Sequence, residues 1–183
     1  MAAAYYNVAN ANVAVQTALG NDKEANKIIA AKNALAKAPN NGNLKKLQKI
    51  NEATKVDSAK LTAISQGSEV QKANLKTALE DASAYKFASY INFASAAALA
   101  PGMVKEATSL SSSVKDLSII NKLKGIIDTG NMAGTLFNAT KVNFAALDKQ
   151  TADVKQVLGV TEASADSAKA KELSKAAGDN FKL

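Results

Sequence analysis

The sequence predicts an all-α fold: an up-and-down helical bundle of about five to seven helices, assembled from helical hairpins. Three observations predict it. Ala, the best helix former, supplies about a fifth of the 183 residues. Apolar residues recur at spacings of three and four over long stretches, and no strict alternation marks a strand. The Gly residues and the two Pro, Pro39 and Pro101, fall mostly between the periodic stretches. Leu, Ile, Val and Phe together make up only about another fifth, so the bundle is slim and its helices meet along Ala seams. The chain is short enough for one domain, 1–183, with a sub-boundary near 39–43.

The elements follow in order. Tyr5, Val8, Asn12, Val15 and Leu19 trace one helical stripe over 3–19, with a polar residue in its middle, and Gly20 ends it. Asn21 and Asp22 offer a cap for a helix over 23–38, whose face carries Ala25, Ile28, Ile29, Leu35 and Ala36 and which stops before Pro39. The short link makes the first two helices an antiparallel hairpin. Asn43 is the expected N-cap of a longer helix over 44–66, striped by Leu47, Ile50, Thr54, Leu61 and Ile64, with Asp57 interrupting the apolar run. After Gly67, the run Ser68-Glu69-Val70-Gln71 has the form of a capping box, which predicts a break followed by a helix to Ala100.

Pro101-Gly102 predicts a second hairpin turn, leading to a Ser-rich helix over 103–127 with Leu110, Leu117, Ile120 and Leu123. Asp128-Thr129-Gly130-Asn131 is turn chemistry. The clearest seam follows: Phe137, Thr140, Phe144, Leu147, Thr151, Val154 and Leu158 alternate threes and fours throughout. Gly159 ends that helix, and Thr161 is the expected cap of a last one reaching Gly178.

Composition narrows the function. The chain has no His and no Cys, so it lacks imidazole and thiolate metal ligands, a Cys nucleophile and a triad base. Nothing in the spacing of its Lys, Tyr, Asp and Glu pairs an acid with a base. The expectation is therefore a protein that is not an enzyme and has no cofactor, no metal and no catalytic residues. The net charge of +7 is spread along the chain, about +2 over 1–40, +3 over 41–100 and +2 over 101–183, with acids interspersed. Arg is absent altogether, which removes the best phosphate fork and argues against nucleic acid as a partner. The N-terminal residues carry neither a basic nor an apolar leader signal, a pattern that slightly favours an exported, mature chain over a cytoplasmic one.

Two uncharged segments are the candidates for function. Met1–Asn21 up to its last turn carries Tyr5, Tyr6, Val8, Val13 and Val15; it is expected to pack on its own bundle, and its other reading is an assembly surface made of those residues. Phe87–Val104 lies between Lys86 and Lys105. It is expected to be a central helix packed on every side, and its other reading is an apolar-ligand or membrane segment centred on Phe87, Tyr90, Ile91, Phe93 and Leu99. Tyr85, Phe87, Tyr90, Phe93, Phe137 and Phe144 concentrate the aromatic side chains in two helices, which is expected of a core. Together these point to a non-catalytic binding, assembly or structural protein that acts through helix–helix contacts with itself or a protein partner. The alternative is a lipid- or membrane-active helical protein using 87–104.

Overall fold

The computed structural model describes residues 1–113, 133–160 and 167–181, with the helical backbone alone for 97, 98, 100, 102–113 and 133–141. Among the described residues there are seven helices and no strand: α1 Ala2–Ala18, α2 Asp22–Lys37, α3 Asn41–Ala53, α4 Ser58–Ser65, α5 Glu69–Ser113, α6 Ala133–Leu158 and α7 Ser167–Asp179. The predicted fold class holds. The Ser-rich stretch after Ser113, the Asp128–Asn131 turn and the Thr161 cap lie outside the described residues.

Local chemistry sets most of the ends. Gly20 has φ 63°, and there the N–H of Gly20 donates to Thr17 O at 2.9 Å while that of Asn21 donates to Gln16 O at 2.8 Å. This paired closure needs a left-handed residue, which Gly supplies without a Cβ clash. Gly159, at φ 65°, closes α6 in the same way, with Val160 N–H on Lys155 O at 3.0 Å. The capping box forms as expected: Ser68 N–H donates to Gln71 Oε1 at 3.0 Å, and Gln71 N–H donates back to Ser68 Oγ at 3.3 Å.

Three expectations are corrected. The cap of α3 is Asn40, whose Oδ1 accepts the N–H of Asn43 at 3.0 Å. Asn43 turns its own amide to the end of α2, donating to Ala34 O at 3.2 Å and Ala38 O at 2.9 Å, so it ties the α2–α3 hairpin instead of opening a helix. The helix expected over 44–66 is two helices. Thr54 is extended at ψ 127°, and Asp57 caps α4 by accepting from Ala59 N–H and Lys60 N–H. Asp competes with the helical backbone for its own N–H groups and so favours a cap over a mid-helix position. Finally, no turn forms at Pro101; α5 runs 45 residues through it to Ser113. Proline deprives the carbonyl of residue 97 of one N–H and crowds it, at a cost of about 3 kcal/mol, but the turns on both sides keep their hydrogen bonds.

Contacts set the direction of α5 against α1 and α6. Ser89 of α5 donates to Ala4 O of α1 at 2.8 Å, while Leu75 and Leu79 pack with Val15 and Leu19, so α5 is antiparallel to α1. Tyr90 and Lys86 of α5 meet Phe144 and Asp148 of α6, so those two are antiparallel as well. The helix packed on every side is α1, which contacts α2, α3, α5, α6 and α7. Two apolar clusters flank it. Ala11, Val15 and Leu19 join Leu61, Leu75, Leu79, Leu147 and Val154, while Tyr5 and Ala9 join Ile28, Leu35, Leu44 and Leu47. In α6 the predicted seam is buried at Phe144, Leu147, Thr151 and Val154, and Leu158 packs against the first cluster; the side chains of Phe137 and Thr140 lie outside the described ones.

Candidate functional site

A helix without charged side chains can be buried all round without desolvating a Lys, Asp or Glu. Its amides must still find partners. Asn12 of α1 donates to Asn51 Oδ1 of α3 at 3.1 Å and accepts from Gln150 Nε2 of α6 at 3.1 Å. The same Gln150 amide donates to Thr54 O at 3.1 Å, and its Oε1 accepts from Gln16 Nε2 at 3.3 Å. Gln16 also donates to Lys55 O at 3.1 Å and accepts from Asn21 Nδ2 at 2.8 Å. Two of the carbonyls released where α3 breaks are thus taken up by glutamines from α1 and α6. Of these carboxamides, only Asn12 lies in an apolar stripe legible in the sequence. Gln150 carried a faint signal, since it lies between Leu147 and Val154 on the inner side of the best seam.

The candidate residues of the N-terminal stretch sort into core and flank. Tyr5, Val8 and Val15 are fully buried within the bundle of this same chain, so they present no surface while it is folded. Val13 is half-buried against the second cluster. Tyr6 is half-buried too: its ring meets Phe181 edge-on at 5.7 Å, and Lys32 Nζ lies 4.9 Å from its centre. Lys32 also donates to Asn10 Oδ1 at 2.8 Å, and burial lowers the pKa of its ammonium.

The second segment is placed otherwise than expected. Because Ala4 lies beside Ser89, α1 ends a few residues further along α5, while α5 continues for about 30 Å beyond Phe93 at 1.5 Å per residue. The central position expected for 87–104 therefore belongs to α1, and part of this segment faces out. Leu99 is 62% exposed, Tyr90 42% and Phe87 40%; Ile91 is half-buried and Phe93 is buried. Tyr90 lies over Phe144 with ring centres 4.2 Å apart, and Val142 of α6 is 53% exposed nearby in sequence. Phe87, Tyr90, Ala94 and Pro101 recur at three, four and seven residues, so their exposed positions share one face of α5.

Among the described residues, no three acidic side chains gather to hold a metal ion, and no helix is long and apolar enough to cross a membrane. Compared with protein-family models, curated proteins and solved structures, the chain matches none. Its own residues carry the functional reading.

Proposed function

We propose that the protein is a non-catalytic binding or assembly protein that engages a protein partner, or further copies of itself, by helix–helix contact on the exposed face of α5. The observation that carries this reading is the exposure of Phe87, Tyr90, Ala94 and Pro101 on one face of a run of eighteen uncharged residues, 87–104. Single exposed apolar residues are ordinary, but a row of them on one helix face is the form in which an amphipathic helix is recognised. Charges, which an interface core must desolvate, are absent from the run. The rest of the bundle supports this reading: α1 packs along α5 and Tyr90 stacks on Phe144 of α6, so the Phe87–Tyr90 part of the face sits on a helix held by its neighbours.

The test compares the wild-type chain with Phe87→Asp, a substitution on that face at a site 40% exposed and outside the core clusters. Light scattering after size exclusion reads self-assembly, and affinity capture from the native source reads other partners. The reading expects an oligomer or a captured protein that the variant loses. A wild-type monomer whose captured proteins are the same as those of Phe87→Asp would overturn it.

A further inference from the structure

Away from α5, the break between α3 and α4 opens a cleft of about 280 Å³ against α6. Glu52, Lys55 and Val56 line one side, and Ala146, Lys149 and Asp153 line the other. We propose that this cleft binds a small zwitterion, an α-amino acid or a dipeptide.

Charge comes first. Two Lys and two carboxylates line the cleft, so its formal charge is zero, which suits a neutral ligand with separated charges better than a phosphate or a metal ion. Lys55, Lys149 and Asp153 enter no ion pair among the described residues, although both signs lie within one cleft. Glu52 is held in place, its Oε1 accepting from Gln48 Nε2 at 3.0 Å and Asn143 Nδ2 at 3.2 Å. The N–H groups of Lys55 and Val56, in the wall made by the α3–α4 break, donate to no described acceptor. An ammonium fits the carboxylates, and the ligand's own carboxylate fits the Lys side chains and these N–H groups. Val56 and Ala146 supply apolar area for a small side chain.

The site is preformed. Gln150 holds Thr54 O and Gln16 holds Lys55 O, so the segment that makes one wall cannot drift away from α6 without breaking buried hydrogen bonds. The ligand then has to order only the exposed Lys55 and Lys149 side chains, not the backbone wall. The volume is at the small end for ligand pockets, which favours an amino acid or dipeptide over a nucleotide.

Isothermal titration calorimetry of the intact chain tests this with free L-alanyl-L-alanine as the probe. N-acetyl-L-alanyl-L-alanine methylamide, which has no charged end, is the comparison. Saturable binding of the free dipeptide is expected, with Kd on the order of 0.1–1 mM. The capped probe, Lys149→Met and Asp153→Asn should each weaken it by about tenfold or more, and Lys171→Met on α7 should not. Melting curves confirm that the variants fold. No saturable heat up to ~10 mM dipeptide, equal affinity for the capped probe, or undiminished binding by Lys149→Met overturns the proposal.

Discussion

Gln150 of α6 donates to Asn12 Oδ1 of α1 across 3.1 Å, joining two residues 138 positions apart at the centre of the bundle. The same amide reaches Thr54 O, so one side chain ties the central helix to the break between α3 and α4. Gln150→Met keeps the volume but leaves Asn12 Oδ1 and Thr54 O buried without this donor. The expected loss is about 2–4 kcal/mol in urea unfolding. A loss below about 0.5 kcal/mol would show that water replaces the amide freely.

Phe144→Ala removes a buried ring stacked on Tyr90. A loss of about 3–5 kcal/mol is expected from the cavity and the lost transfer energy. Equilibrium unfolding of the variant checks it, and a change under about 1 kcal/mol would place the ring outside the core.

Gly20 and Gly178 distinguish backbone conformation from space, because a Cβ added at either meets nothing within 4 Å. Gly20 has φ 63°, so Gly20→Ala is expected to destabilise by about 1 kcal/mol. Gly178 lies within α7 and has no positive φ, so Gly178→Ala is expected to stabilise by about 0.5 kcal/mol. Paired melting curves read the two signs, which should be opposite.

Burial raises the pKa of Tyr85 above the ordinary 10.0; the Asp81 carboxylate adds to the rise, and Lys169 opposes it. The folded state therefore holds this proton more tightly than the unfolded chain does. Its contribution to stability is full below the unfolded value and is lost as pH rises from there through the folded value. Tyr85→Phe should lose less stability than the wild type between about pH 9 and pH 11. Urea unfolding at the two pH values measures the difference, and parallel losses would rule out this role for Tyr85.

The exposed aromatic face also fits an interfacial lipid contact, which vesicles test directly. No dye release is expected from neutral vesicles, because pulling α5 into lipid would uncover Leu75, Leu79 and Phe144, which pack within the bundle. Anionic vesicles should bind the chain weakly and release it as salt rises. Dye release abolished by Phe87→Asp would favour the membrane-active reading. Phe93→Asp is unsuitable for this test, since Phe93 is buried and its loss would unsettle the fold.

Local sequence patterns alone are enough for the helical class, the end of α1, the stop of α2 before Pro39, the two Gly closures, the Ser68–Gln71 box and the inward face of α6. Each of these rests on residues within a turn or two of one another, where backbone geometry and capping chemistry act alone. The interruption at Asp57 was also visible, though not that it splits a helix; the carbonyls freed there needed Gln16 and Gln150, which are remote in sequence. Tertiary structure decided which uncharged segment became the centre. Met1–Asn21 and Phe87–Val104 are alike in lacking charge, but α1 is short enough to be enclosed, whereas α5 outruns it and leaves Leu99 in solvent. Pro101 sits within α5 although its ring costs the helix about 3 kcal/mol, which the Pro101-Gly102 pair by itself does not show. The cleft at the α3–α4 break belongs to the same class, since its walls come from residues about a hundred positions apart that no local pattern connects.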